Sequence, residues 1–172
     1  MSITKTMEQA YNDQLREELA SAYLYLSMSS YFERTDLPGF AHWMYIQFQE
    51  EMAHHIRFFN YMVTRTGEIR LQGISAPDFQ WENPLEVFKA TLVHERHITE
   101  RINHLMALAH QEKDFASTQF LQWFVNEQVE EEANVSKIIG QLKLVGDAGL
   151  YLLDKELAQR VFVDPNAPGA QA

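Results

Sequence analysis

The chain has 172 residues, a formal net charge of −10 and no cysteine. Its length fits one domain that buries roughly 70% of the surface of its unfolded chain. The acidic balance argues against nucleic acid and anionic membranes as partners, and it is compatible with cationic ligands. The absence of cysteine excludes disulfides, thiolate metal sites and cysteine nucleophiles.

The N-terminus and the hydropathy of the chain carry no signal for export or for membrane insertion. Residues Met1–Lys5 contain no basic run followed by an apolar core, which a signal peptide requires. No apolar run approaches the roughly 20 residues that span a bilayer. We therefore expect a soluble, cytoplasmic protein with neither nucleic acid nor membrane as a partner.

Apolar residues recur at steps of three and four along most of the chain, and this spacing predicts helices that pack in a bundle. The predicted helices cover about residues 5–34, 39–66, 84–110, 115–145 and, for a short fifth helix, 150–161, with a loose tail over 162–172. Proline, glycine or a capping residue separates them, at Pro38, Gly67, Asn83–Pro84, Asp114 and Gly146.

The lengths of the connections predict the topology. Short turns near Pro38 and Asp114 make the first and second helices, and the third and fourth, antiparallel pairs. The stretch Gly67–Asn83 has 17 residues and no helical pattern, which is long for a compact domain. At about 3.3 Å per residue it can cross the length of a helix, so the second and third helices should run parallel. We predict an all-α, single-domain four-helix bundle with one long crossover and a short C-terminal helix.

Each predicted helix has an apolar stripe that would face the core, and polar residues interrupt every stripe at its midpoint. Packed side by side, these midpoints meet in one layer of four carboxylates, one imidazole and one carboxamide. The interrupting residues are Glu18 in the first helix, Glu51 and His54 in the second, Glu95 in the third, and Gln128 and Glu131 in the fourth.

This layer predicts a metal centre. Four carboxylates cannot coexist in a low-dielectric interior without cations or protons, and two divalent cations would neutralise them. Glu51 and His54 lie one turn apart on one face, as two ligands of one ion must. Oxygen ligands with one imidazole suit iron or manganese. Di-iron bundles carry Glu-x-x-His on two helices, whereas here the fourth helix has Gln128 and Glu131 at that spacing. A metal-free polar layer is the alternative.

Several residues beside the layer have two interpretations. Tyr25 lies two turns after Glu18 on the same face, and it serves either core packing or a redox role. Glu50, Glu127 and Glu130 lie about 100° or more off the stripes, and they are either solvated or ligands of an accessory cation.

For the other histidines, Trp123 and Met52 we predict whether they lie in the core, at the surface or at an interface. We expect Trp123 in the core or at an interface, with a role at the site as the alternative. Met52 is one position off its stripe and should lie at the surface or at a subunit contact. Surface or interface positions are also predicted for His42, His55, His94, His97, His104 and His110.

Four motifs stand in order along the chain: Glu18 with Tyr25, the run Gln49–His54, Glu95, and the run Phe120–Glu132. In sequence and spacing they resemble the non-haem ferritins of bacteria and archaea. The similarity extends from about residue 7 to residue 156 and includes the long crossover.

The resemblance implies a ferroxidase centre that oxidises Fe(II) with O2 or H2O2. It implies one iron held by Glu18, Glu51 and His54. It implies a second iron on Glu51, Glu95 and Glu131, so that Glu51 bridges the two irons. Gln128 would then lie near the oxidant.

The resemblance also implies functions outside that centre. A third iron site would use Glu50, Glu127 and Glu130, with help from Glu131. Tyr25 would supply an electron. The family assembles homo-oligomeric cages, commonly of 24 subunits, that store a ferric mineral core.

Three other protein classes compete with a non-haem ferritin. Haem-containing bacterioferritins have a histidine where this chain has Glu131, although Met52 stands where their haem methionine is found. Rubrerythrin-like peroxidases need four cysteines, which this chain lacks. A non-catalytic cage subunit should lose Glu18, His54 or Glu95, and this chain keeps all three.

Overall fold

The computed structural model describes residues 2–167, and the backbone alone for residues 147 and 148. It contains helices α1 (Lys5–Arg34), α2 (Pro38–Thr64), α3 (Pro84–Gln111) and α4 (Phe115–Leu157). No strand occurs among these residues, which confirms the all-α prediction. Within the described part of the chain, no helix combines the length and hydropathy that a membrane span needs.

Side-chain caps start three of the helices. The Thr4 hydroxyl accepts a hydrogen bond from the backbone N–H of Met7 at the start of α1. Asn83 and Asp114 accept equivalent bonds at the starts of α3 and α4, as their positions predict. Each cap satisfies one of the N–H groups that a first helical turn leaves unpaired.

Two apolar clusters, one at each end of the bundle, establish the direction of every helix. Phe32 near the end of α1 packs in one cluster with Phe40 and Phe88, which lie near the starts of α2 and α3. Tyr11 at the start of α1 and Phe58 near the end of α2 belong to the other cluster. Helices α2 and α3 therefore run parallel, and the predicted topology is confirmed.

The crossover between α2 and α3 runs along the whole of α1. The Asn12 side chain donates to the Glu68 carbonyl at 2.9 Å, near the start of α1. The Ser27 hydroxyl donates to the Asp78 carbonyl at 2.7 Å, near its end. The connection thus crosses from one end of the bundle to the other, as its length predicts.

Gly146 divides α4 into two helices, residues 115–145 and residues 147–157, the second of which we call the C-terminal helix. The backbone of Gly146 has φ 54° and ψ −169°, a conformation that glycine adopts without a Cβ clash. The fifth helix was predicted to start at residue 150, and this is wrong because Gly146 alone interrupts the helix. The predicted end at residue 161 is also wrong, since the helix stops at Leu157.

The C-terminal helix is anchored to the start of α2. The Asp154 carboxylate accepts hydrogen bonds from the backbone N–H groups of Gly39 at 2.7 Å and Phe40 at 3.1 Å. These N–H groups belong to the first turn of α2, where the helix dipole favours a negative charge. Leu153 and Leu157 are buried in the adjacent apolar cluster.

The predicted loose tail is wrong for its described part. The Pro165 carbonyl accepts a hydrogen bond from Arg57 at 3.1 Å, and the Asn166 side chain donates to the Ala53 carbonyl at 2.9 Å. These bonds hold residues 162–167 against α2. The rest of the predicted tail, 168–172, lies outside the described residues.

The contact between Gly39 and Asp154 leaves no room for a side chain. A Cβ on Gly39 would lie 1.7 Å from the Asp154 carbonyl oxygen, so Gly39→Ala should destabilise the protein by about 2 kcal/mol or more, measured as a lower Tm. Gly140→Ala is the matched control, because a Cβ at this helical glycine meets nothing within 4 Å. Equal Tm values for the two variants would contradict this account.

Candidate metal centre

The polar residues that interrupt the apolar stripes are all buried. Their relative exposures are between 0% and 4%, so they lie in the core and not on a solvated face. This confirms the predicted polar layer. Its members are Glu18, Glu51, His54, Glu95, Gln128 and Glu131.

One half of the layer brings together three residues from two helices. Glu18, Glu51 and His54 offer ligand atoms that all lie within 4.8 Å of one another, and they form the one such group found among the described residues. The Nδ1 atom of His54 is 3.4 Å from a Glu51 oxygen and 3.9 Å from a Glu18 oxygen. We call these three residues the open half of the layer.

The open half contains polar atoms without a hydrogen-bond partner. The Oε2 atoms of Glu18 and Glu51 and the Nε2 atom of His54 are buried and make no hydrogen bond among the described residues. An unsatisfied buried polar group costs about 1–3 kcal/mol, and more when it is charged. Two carboxylate oxygens and an imidazole are ligands that iron accepts, so these residues fit a metal ion.

The other half of the layer, which contains Glu95 and Glu131, is held by neutral side chains. The Tyr25 hydroxyl donates to Oε1 of Glu95, and the Gln128 amide donates to Oε2 of Glu95 at 3.1 Å. The Gln47 amide donates to Oε2 of Glu131 at 3.0 Å. Glu95 and Glu131 therefore lie in the same layer but outside the group of three residues. We call them the bonded half.

Burial opposes ionisation of the carboxyl groups. Desolvation, reinforced by the charge of Glu51, raises the pKa of Glu18 to about 8. Desolvation and the charge of Glu131 raise the pKa of Glu95 to about 8. The pKa of Glu51 is raised well above its ordinary value, first by burial and then by Glu95 and Glu131. A cation in the layer would reverse these shifts, because it favours the charged carboxylates.

Sequence reasoning assigned no role to the two glutamines that position the carboxylates. The Gln14 amide donates to Oε1 of Glu18 at 2.8 Å, and its own oxygen accepts from Arg101. Gln47 holds Glu131 in the same way. A signal was present for both, since Gln14 lies four residues before Glu18 and Gln47 interrupts the stripe of α2 four residues before Glu51.

A cavity adjoins the open half of the layer. It has a volume of about 360 Å³, and its lining includes Glu50, Glu127, Glu130 and the ring of His54. The side chains of Glu50 and Glu127 are only 17% and 26% exposed, whereas Glu130 is exposed. Burial raises the pKa of Glu50 to about 7 and also raises that of Glu127. Full solvation, one of the two interpretations, is therefore wrong for Glu50 and Glu127.

Two aromatic residues contact the layer directly. Tyr25 is fully buried, and desolvation together with the charge of Glu95 raises the pKa of its hydroxyl well above the ordinary value. The Trp123 ring meets the His54 ring edge to face, with 5.4 Å between centroids, and Arg57 stacks 4.2 Å above it.

The predicted surface position of His55 is wrong. His55 is only 8% exposed, and its Nδ1 atom lies 2.9 Å from the Leu15 carbonyl of α1, a contact that the pattern of α2 alone does not reveal. His94 is partly buried beside the Ser21 hydroxyl, at 2.7 Å, and burial followed by the charge of His97 lowers its pKa to about 4.

Comparison with known proteins places the chain beside ferritins. The model of the Ferritin-like domain family matches residues 8–145. The chain is 44% identical to a bacterial non-heme ferritin of Bacteroides fragilis (strain 638R) over 158 residues, which are 92% of this chain and 99% of that protein. It is 37% identical to a bacterial non-heme ferritin of Staphylococcus aureus (strain MRSA252) over 162 residues, 93% and 98% of the two chains.

Solved structures agree with these relatives. An open pore ferritin from the hyperthermophilic archaeon Archaeoglobus fulgidus is similar with a TM-score of 0.92 and 45% identity, over 93% of this chain and all of that one. A humanized archaeal ferritin is similar with the same TM-score and 48% identity, over 94% of this chain and all of that one.

The raised carboxyl pKa values predict how stability depends on pH. Between the ordinary pKa of 4.5 and the folded pKa of about 8, Glu18 and Glu95 hold more protons in the folded than in the unfolded chain. Their contribution to stability is therefore complete below pH 4.5 and is lost as pH rises through 8. The Tm of metal-free protein should fall by about 10 °C or more between about pH 6 and pH 8.5.

Glu95→Gln is the control for this prediction, because it removes one of the titrating groups without changing the shape of the side chain. Its Tm should depend less steeply on pH than that of the original chain. Identical slopes in calorimetry would contradict the assignment. Saturating Zn²⁺ should stabilise the original chain more at high pH than at low pH, since the metal competes with protons.

Proposed function

This chain belongs to the ferritin family as an iron-storage subunit, and we propose that it oxidises Fe(II) to Fe(III) at a di-iron centre within each subunit. Homologues named non-heme ferritins imply an iron-oxidising family, and their names give no support to the haem alternative. The observation that carries the proposal is the open half of the layer, where the Nδ1 atom of His54 meets two buried carboxylate oxygens that have no hydrogen-bond partner among the described residues.

The first iron would bind to Glu18, Glu51 and His54. The carboxyl groups must lose their protons as the ion binds, so iron uptake is coupled to proton release. Gln14 would keep Glu18 oriented through its hydrogen bond to the other oxygen of the carboxylate. Glu18 thereby keeps one oxygen free for the metal.

The second iron would share Glu51 as a bridging ligand and would also use Glu95 and Glu131. Tyr25 and Gln128 hold the Glu95 carboxylate from two sides, which positions it before an ion arrives. Gln128 would then lie beside the bound oxidant. Other di-iron bundles have a second Glu-x-x-His motif, whereas this chain has Glu131 at the position of its histidine. In this assignment Glu131 adds a negative charge that helps to neutralise the second cation.

The reaction removes one electron from each of two Fe(II) ions. Dioxygen accepts both electrons and two protons to become hydrogen peroxide, or hydrogen peroxide accepts them to become two water molecules. Carboxylate ligands stabilise Fe(III) more than Fe(II), and they therefore lower the reduction potential of the iron. Tyr25 donates a hydrogen bond to Glu95, a proposed ligand of the second iron. The redox role we propose for Tyr25 is to supply one of the two electrons when only one Fe(II) ion is bound, with its hydroxyl proton released.

An accessory iron site would adjoin the centre in the acidic cavity. Glu50, Glu127 and Glu130 would hold the ion there, with Glu131 assisting. The Nε2 atom of His54 is buried, has no hydrogen-bond partner in the described part of the chain and lies 4.0 Å from an oxygen of Glu127, so the centre and the cavity meet at this residue. Oxidised iron could leave the centre by this route.

The family relationship indicates an oligomeric iron-storage cage, and we propose 24 identical subunits that act in the cytoplasm, each formed by the whole chain as one domain. The isolated chain leaves large apolar side chains exposed, which subunit contacts would cover. Six of them, with exposures between 43% and 72%, are Tyr45, Ile56, Val63, Leu71, Phe79 and Val93.

Removal of one carboxylate from the bonded half of the layer tests the proposed di-iron centre. Glu95→Gln should lower the initial rate of Fe(II) oxidation by about tenfold or more, because the second iron loses a ligand. The measurement is stopped-flow absorbance of Fe(III) in cages of verified size. Glu33→Gln, at an exposed position, is the control and should leave the rate unchanged. Unchanged rates in both variants would refute the di-iron assignment.

Removal of Glu130 tests the accessory site separately. Glu130→Ala should leave the first fast oxidation phase nearly intact, because Glu130 is exposed and is not one of the proposed ligands of the di-iron centre. It should alter the ratio of iron oxidised to O2 consumed and slow the growth of the mineral core. If both quantities match those of the original chain, no accessory site operates in the cavity.

A further inference from the structure

Arg160, just beyond the C-terminal helix, lines the acidic cavity. Its Nη2 atom donates to Oε2 of Glu50 at 2.6 Å, and both side chains are mostly buried, with exposures of 19% and 17%. Glu50 is one of the proposed accessory ligands. A fixed positive charge therefore already contacts a carboxylate that the accessory ion would need.

The surrounding residues hold Arg160 in place. Its guanidinium lies 4.4 Å from the centre of the Trp43 ring, a cation–π contact. Its backbone carbonyl lies 2.8 Å from the Nε2 atom of His42. The chain beyond it continues along the cavity, where Val161, Val163 and Pro165 complete the lining. The position of Arg160 is thus set by packing as well as by charge.

The ion pair itself is incompletely satisfied. Only one nitrogen of Arg160 contacts the carboxylate, whereas arginine–carboxylate pairs commonly form two parallel bonds. The Nη1 atom is buried and makes no hydrogen bond among the described residues. A divalent cation would neutralise Glu50 more fully, so the guanidinium is a partner that iron could replace.

We propose that Arg160 is a resident counter-cation of the accessory site and that an incoming Fe(II) ion must displace its guanidinium from Glu50. This competition sets the affinity of the accessory site for iron. Weak binding lets an ion leave the site again, as a transfer station between the centre and the mineral requires. The inference rests on the proposed accessory site and adds to it a positioning residue from a different part of the chain.

Anaerobic calorimetric titration of the intact cage with Fe²⁺ tests the proposal. Arg160→Gln should tighten Fe²⁺ binding to the accessory class of sites by about tenfold, the effect expected from loss of one competing ion pair. Arg160→Lys keeps a positive charge and should remain close to the original affinity. Equal tightening in both variants, or none in Arg160→Gln, would overturn the proposal.

Arg57→Gln is the matched control. Arg57 also stacks on a tryptophan next to the cavity, but its Nη1 atom donates to the Pro165 carbonyl and not to a carboxylate. If the loss of any positive charge near the cavity were enough to raise the Fe²⁺ affinity, Arg57→Gln would tighten Fe²⁺ binding as much as Arg160→Gln. We expect at most a small change. The Tm and the cage size of each variant separate a loss of folding from a change in affinity.

A second measurement does not depend on any variant. Crystals of the original chain soaked anaerobically in ferrous salt, with iron located by anomalous scattering, should show Arg160 more than about 4 Å from Glu50 wherever iron occupies the cavity. An intact ion pair beside a bound iron would overturn the inference and leave the accessory site standing. Absence of the accessory class from the original chain and from Arg160→Gln would overturn both.

Discussion

The main constraint on this structure is a layer of buried carboxyl groups at the middle of a bundle whose two ends are apolar. Burial, followed by the charges of neighbouring carboxylates, raises the pKa of Glu18, Glu51 and Glu95, so the layer has a cost in stability that the apolar clusters on either side must offset. The four helices form this layer together because each one has its polar residues midway along its buried stripe. The crossover along α1 lets α2 and α3 run parallel, which brings those midpoints to one level.

The two halves of the layer differ in what satisfies their oxygen atoms. Tyr25, Gln47 and Gln128 donate hydrogen bonds to the bonded half, so these carboxyl groups have partners within the protein. Among the described residues, the open half has no comparable set of donors, and three of its buried atoms have no hydrogen-bond partner. Neutral donors therefore occupy the carboxylate oxygens of the bonded half, while in the open half Gln14 holds one oxygen of Glu18 and leaves the other available to a cation.

Helical periodicity and connection length predicted most of this architecture. The steps of three and four placed Glu18, Glu95 and Glu131 on buried stripes, and the structure buries all three. The length of the segment before Asn83 predicted the crossover and the parallel pair. These features follow from the sequence because one helix determines which of its side chains share a face, and a short connection leaves neighbouring helices few arrangements.

Only the tertiary structure decided which residues from distant parts of the chain meet. The ring of His55 contacts a backbone carbonyl of α1, and Gln47 of α2 donates a hydrogen bond to Glu131 of α4. Residues 158–161 were expected to continue the fifth helix, yet the helix ends at Leu157 and Arg160 reaches Glu50, which lies 110 positions earlier. Sequence periodicity describes one helix at a time, whereas these contacts arise when α2 packs against α1, against α4 and against the C-terminal segment.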